Sequence, residues 1–372
     1  MRKILLLFLI FLTLNTLPVF GVSFEKVQDA EKGISETAAS NIDMVAGNFS
    51  FYDMAKSIYE GSYSSDLRGI IQKGIDMLFE EVRINVKIMG SVMLLGILCS
   101  FLSNLASSFG SGEVTEAAFL CCYALLAGMS ATGFSQMVSC TTETINDMSF
   151  FMKSLIPLMS MLSAAEGKVI TASLMRTEIL MATALSSFVI EKVVLPLLYA
   201  SFALKFINNI TKSLSLTNLV RMADKLTKRI LGFTFLVFTA VLSLSSFAAG
   251  TAENMGMKTA RFAVSSVVPV AGGVLADSVS AITASCGMIK NSAGIAGITV
   301  IFLMAAYPVI KCAAVSFIYN FTGAVLEPVC DTRLSVAVTS VGECMGMLFG
   351  IISVCAAQCI ISSAILLSTV RG

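Results

Sequence analysis

Long apolar blocks, each roughly 20 residues, follow one another from residue 88 to residue 368, and they decide what this chain can fold into. An α-helix rises 1.5 Å per residue, so each block is long enough to cross the ~30 Å hydrocarbon layer of a bilayer. The blocks lie at 88–108, 117–138, 148–164, 169–190, 193–210, 230–250, 262–279, 281–303, 305–322 and 344–368. Hydrophobic residues make up 56% of the chain and charged residues 13%, against about 25% charged residues in soluble domains. A water-soluble core of this composition would leave large apolar patches exposed. Lipid offers no hydrogen bonds to the backbone, so apolar spans of this length must be helices. The expected fold is therefore all-α: a polytopic helical membrane protein with about 8–10 membrane segments. Lys153 and Pro157 interrupt 148–164, which reads either as a crossing or as a re-entrant segment.

The first residues differ in kind. Arg2 and Lys3 precede an apolar stretch from Ile4 to Leu17, Pro18 breaks it, and Val19 and Gly21 sit at the −3 and −1 positions of a cleavage site. Residues 1–21 read as a signal peptide cut after Gly21 or, alternatively, as an uncleaved anchor. Residues 22–87 are then an extracytoplasmic region, and Ile70, Ile71, Ile75, Leu78, Phe79 and Val82 give its later part an amphipathic helical pattern. Such a helix lies on the membrane, docks on a partner or packs on the protein's own loops. The densest basic stretch is Lys212, Arg221, Lys225, Lys228 and Arg229. The positive-inside rule places it in the cytoplasm if five crossings precede it, which requires 148–164 to cross. Its apolar side lets it lie along the inner surface as a helix.

The chain has no His and no Trp. Without His there is no Ser–His or Cys–His nucleophile–base pair and no His-containing zinc site. The ten Cys contain no CxxC and all follow residue 88, so they read as small apolar packing residues. A net charge of +1 gives no electrostatic case for nucleic acid. No Walker A motif, dinucleotide fingerprint or acidic calcium loop occurs, so no enzyme activity and no cofactor is expected.

Shifted by 112 residues, the chain resembles itself. Pro157 falls on Pro269, Pro196 on Pro308, Phe150 on Phe262 and Asn208 on Asn320. Ile170-Thr171-Ala172-Ser173 falls on Ile282-Thr283-Ala284-Ser285. This register divides the membrane part into an N-terminal hairpin, 88–138, and two repeats, 148–250 and 260–371, either parallel or inverted. Repeats of this kind place functional sites where broken helices meet. The expected breaks are at Pro157 and at Pro269 with Gly272 and Gly273, since proline removes a backbone donor and clashes with the preceding turn. Charges at membrane depth cost about 2.5–3.5 kcal/mol each. Arg176, Glu178, Asp277 and Lys290 are thus candidates for a polar path or an ion site, with interfacial helix ends or interhelical pairs as the alternative.

One string carries a resemblance. Lys258-Thr259-Ala260-Arg261-Phe262 runs on through Val268-Pro269-Val270, Gly272, Asp277, Lys290-Asn291, Gly294 and Gly297. It continues with Ala305-Ala306-Tyr307-Pro308-Val309-Ile310-Lys311, Phe317-Ile318-Tyr319 and Glu327-Pro328. In this order and spacing the chain resembles the stage III sporulation protein AE family of endospore-forming bacteria. The resemblance implies a non-catalytic, multi-pass subunit in the mother-cell membrane around the forespore. It implies as partners the membrane and ring-forming proteins of one sporulation operon and, indirectly, a forespore membrane protein, together forming a trans-envelope channel or feeding tube. It carries over no functional residues. A self-contained secondary transporter and a membrane scaffold that recruits ring-forming partners are the alternatives. On these readings Asp277→Asn should lower spore yield more than Glu143→Gln, taken as a loop control, at equal membrane levels by blot. Equal, mild effects would remove the polar path at Asp277.

Overall fold

The computed structural model describes residues 24–32, 34, 36–46, 50–62, 67–108, 112–166, 168–210, 216–267 and 272–368. The expected signal peptide and Pro269 lie outside these residues, as do the side chains of Gly272, Gly273 and Asp277. All described regular structure is helical: α1 Phe24–Glu31, α2 Glu36–Ala46, α3 Phe51–Tyr59, α4 Leu67–Ser108, α5 Gly112–Ala165, α6 Val169–Val189, α7 Leu195–Ile210, α8 Thr217–Val267, α9 Gly272–Leu326 and α10 Thr332–Ser368. A π-helical turn, Ile190–Val194, joins α6 to α7 without a break.

The chain is an all-α polytopic membrane protein. Among the described residues, six helical runs are long and apolar enough to cross a membrane: α4, α5, α6–α7, α8, α9 and α10. The blocks expected as separate segments merge into these runs. No turn separates 117–138 from 148–164, because α5 runs unbroken for 54 residues. The segment 148–164 is therefore neither an independent crossing nor a re-entrant loop. Pro157 lies inside α5 and Pro308 inside α9. In each case packing on neighbouring helices outweighs the loss of one backbone bond, as membrane helices tolerate. At Pro196 the chain adjusts instead. The preceding turn widens, so that the Leu195 N–H reaches back to the Ile190 carbonyl. A π turn of this kind takes up the strain a proline puts on a helix. Glu143, expected in a loop, lies within α5. At 1.5 Å per residue α5 is about 80 Å long, so it crosses obliquely or extends beyond the bilayer.

The core is the antiparallel pair α9–α10, with α5 across it. In the most apolar windows of α9 and α10, 56% and 50% of residues are buried, against 17% in α4 and in α8. Ser335 Oγ donates to the Gly323 carbonyl at 2.8 Å and Ser316 Oγ to the Gly342 carbonyl at 2.7 Å. These bonds require backbones in near contact. A Cβ on Gly342 would sit 2.7 Å from the Asn320 side chain, and one on Gly346 3.3 Å from Ser316 Oγ. Small residues four apart serve this purpose in membrane helices. Six of the ten Cys, Cys99, Cys122, Cys312, Cys344, Cys355 and Cys359, are buried in the same core.

The stretch 67–87 is the first part of α4 and continues into the span 88–108. Its inward face carries Glu81, whose carboxylate accepts from Tyr307 Oη at 2.9 Å and from Asn85 Nδ2 at 3.0 Å. Ile75, Phe79 and Ile84 stay exposed. Helices α1–α3 pack on α5 and α9. Ser50 caps α3 through the Asp53 N–H, and Glu31 Oε1 accepts from the Phe51 N–H at 3.0 Å. Phe51 is thereby held edge-on against Phe151, with ring centroids 5.7 Å apart.

A Cβ on Gly323 would overlap the Thr339 side chain and approach the Thr339 N and Ser335 O at 3.1 and 3.2 Å. The obstacle is backbone, which cannot rotate away. Gly323→Ala should therefore destabilise by about 1–3 kcal/mol, read as a lower melting temperature in detergent. Gly232→Ala, whose Cβ meets nothing within 4 Å, should melt like the unmodified chain.

Candidate functional site

Lys205 stands alone in the apolar run of α7 and its side chain is only 4% exposed. Burying an unpaired ammonium would be prohibitive, so partners must come from other helices. They are Asp224 of α8 and Glu343 of α10. Lys205 Nζ is 3.1 Å from Asp224 Oδ2 and donates to Glu343 Oε2 at 2.8 Å. Ser201, one turn before Lys205, donates to the other Asp224 oxygen. Both Asp224 oxygens are thus occupied, and three helical runs are tied at one point within their candidate membrane spans.

The Glu343 side chain is 54% exposed, and it faces a cavity of about 500 Å³ between α8, α9 and α10. Asp224, Lys228, Ser316, Asn320 and the Gly342/Gly346/Gly350 stripe line that cavity. Two carboxylates, one ammonium group, two hydroxyls (Thr227 and Ser316) and an amide face one space inside an apolar bundle. Such a space holds water and offers both donors and acceptors to a polar solute.

The charges expected from the sequence are distributed differently. Lys290 is fully buried in α9, 3.4 Å from Glu166 Oε2 in the turn after α5. Glu166 Oε1 is buried without a hydrogen-bond partner. This is an interhelical pair, the alternative that the sequence left open. Glu178 of α6 has a buried, unpartnered Oε2 and lines an apolar groove against α8. Arg176 is exposed. The structure brings none of Pro157, Arg176, Glu178 and Lys290 to the cavity. Lys205 and Glu343 are 138 residues apart, so their pairing left no local trace. Each was nevertheless visible as a lone charge in an apolar helix, the same signal that pointed to Lys290.

A second polar pocket, about 460 Å³, lies where α2 meets α5 and α9. Asn41, Gln136, Glu143, Tyr307 and Lys311 line it, with the Lys311 ammonium 5.6 Å from the Tyr307 ring centroid. At the N-terminal start of α10, Arg333 ties the α9–α10 turn to the rest of the bundle. It donates to Glu116 Oε1 at 2.8 Å and to the Ile210 carbonyl at 3.1 Å, and stacks 3.7 Å over the Phe119 ring.

Fold and site together define an α-helical polytopic membrane protein with a charged cluster between its spans. The sequence profile described as Stage III sporulation protein AE matches residues 49–370, and the chain belongs to that family of sporulation proteins. A curated relative, the Stage III sporulation protein AE of Bacillus subtilis (strain 168), is 29% identical over 251 residues, which cover 68% of this chain and 63% of the relative. The matched stretch thus spans less than two thirds of that relative's length. No solved structure matches the chain.

Removing Lys205 alone strands two carboxylates. Because Asp224 and Glu343 are 20% and 54% exposed, water offsets part of the cost, and Lys205→Met should destabilise by about 1–3 kcal/mol. Combining it with Asp224→Asn and Glu343→Gln should recover most of that loss in a detergent melting series. If the triple substitution melts no higher than Lys205→Met, the cluster is not an electrostatic unit.

Proposed function

We propose that this chain is a non-catalytic subunit of a trans-envelope channel complex in the mother-cell membrane around the forespore, and that the cavity beside the Lys205–Asp224–Glu343 cluster is its polar element, placed toward the cytoplasmic ends of the spanning helices. The cluster's opening onto a cavity of about 500 Å³ between spanning helices carries the reading, because charges retained between such helices mark polar pathways by default. Its partners are the membrane and ring-forming proteins of the same operon.

Orientation fits this role. Three helical runs, α4, α5 and α6–α7, precede the basic stretch around Arg221 to Arg229. An odd number of crossings from an extracytoplasmic start puts that stretch inside, as the positive-inside rule favours. The internal duplication also gains support. The proline-bearing runs α6–α7 and α9 both end beside Arg333, at Ile210 and Leu326, and each is followed by one further long helix, α8 or α10. Equal direction and an even helix count favour a parallel repeat over an inverted one. A scaffold role draws on one specific observation: α1–α3 pack on α5 and α9 while Asp29, Glu36, Asp43, Asp53 and Glu60 stay exposed. Exposed carboxylates on that outer face suit basic ring-forming partners.

The test is spore formation in a strain lacking its own copy. The conducting role predicts that Lys205→Met with Asp224→Asn and Glu343→Gln gives normal membrane levels but spore counts at the deletion level. Normal spore counts would overturn it and leave the scaffold. Catalysis of ion-coupled uptake by the purified protein alone would overturn the subunit reading in favour of a transporter.

A further inference from the structure

Between α6 and α8 runs a groove of about 550 Å³ whose walls are apolar apart from Glu178, Ser186 and Thr234. Met181, Leu185 and Val189 form one side, and Ile230, Phe233 and Val237 the other. On α8 the groove extends from Ile230 to Val241. At 1.5 Å per residue that is about 16 Å, close to one leaflet, half of the ~30 Å hydrocarbon layer.

What lies at its mouth is equally specific. Arg221, Lys225, Lys228 and Arg229 occupy the turns of α8 just before Ile230, and all four are exposed. None of them forms an ion pair among the described residues. Lys225, Arg229 and Phe233 are spaced i, i+4 and i+8, so they share one side of α8, and Phe233 is a wall of the groove. Met222 and Leu226 are exposed beside them. The inner-surface helix expected from the sequence is in fact the first part of α8, so its charge and the groove belong to one continuous element.

We infer that this groove holds an acyl chain of an anionic phospholipid, with its phosphate at Lys225 and Arg229. Charge confined to one end and an apolar channel one leaflet deep match a lipid's two parts. Basic residues at such a membrane boundary recognise anionic headgroups. An apolar partner helix would have no use for the cations, and a free phosphate would have no use for the groove. The inference needs only that α6 and α8 cross a membrane, and it is independent of the channel reading.

The experiment uses the full-length protein purified in detergent and titrated with phosphatidylglycerol or phosphatidylcholine. Readouts are lipid retained in native mass spectrometry and the shift in melting temperature. Phosphatidylglycerol should be retained and raise the melting temperature, while phosphatidylcholine and inorganic phosphate should do neither. Lys225→Gln with Arg229→Gln should weaken retention roughly thirtyfold, from about fivefold per charge. Both sites are exposed, so the fold should be unaffected. Ala182→Phe, which fills the groove, should abolish retention while leaving the four cations in place. Equal binding of both lipids, or unchanged retention in the Gln pair, would overturn the assignment. Disulfide cross-linking of two copies through Met181→Cys would also overturn it, because a second chain would then fill the groove.

Discussion

Close contact between the backbones of α9 and α10 is the constraint from which the rest of the bundle follows. In a bilayer no hydrophobic force drives helices together, because lipid tails are as apolar as the side chains, so association rests on packing and on interhelical hydrogen bonds. Gly323, Gly342 and Gly346 let the two helices approach, and Ser316 and Ser335 reach the facing carbonyls. The turn between them is pinned from outside, with Ser100 Oγ on the Val329 carbonyl at 2.8 Å and Arg333 on Glu116 and Ile210. With this pair fixed, α4 packs on α9, α5 packs on both α9 and α10, α6 and α7 pack on α5 and α10, and α8 packs on α10.

Three buried charges meet partners within this frame. Lys290 meets Glu166, Glu81 meets Tyr307 and Asn85, and Lys205 meets two carboxylates. These sites differ in completeness. The Lys205 cluster is saturated on the Asp224 side and open through Glu343 to a cavity, whereas the Lys290–Glu166 pair is closed and leaves one oxygen unpaired.

Helix breaks illustrate how local and global preferences compete. Proline predicted an interruption at Pro157, yet α5 runs through it, and at Pro196 a π turn absorbs the strain. The helices carrying these prolines end only later, α5 at Ala165 and α7 at Ile210. Proline removes one hydrogen bond, but ending a helix in lipid would expose several unpaired backbone groups. Continuity is therefore favoured wherever neighbouring helices cover the defect.

The sequence by itself determined the class: apolar blocks of bilayer length leave no solution but helices, and the order of residues from Lys258 to Pro328 was enough to indicate the family. It also singled out Lys290 as a lone charge in an apolar run, though not Lys205 or Glu343. It did not determine how the blocks join, because a polar or proline-containing stretch such as 139–157 is compatible with either a turn or a continuous helix until its neighbours are known. Nor did it assemble the site. Lys205, Asp224 and Glu343 come from three separate helices, and only the close docking of α9 and α10 and the run of α8 beside them bring ammonium and carboxylates to hydrogen-bonding distance. Periodicity and composition are properties of a single segment, whereas the pairing of buried charges depends on contacts between segments far apart in the chain.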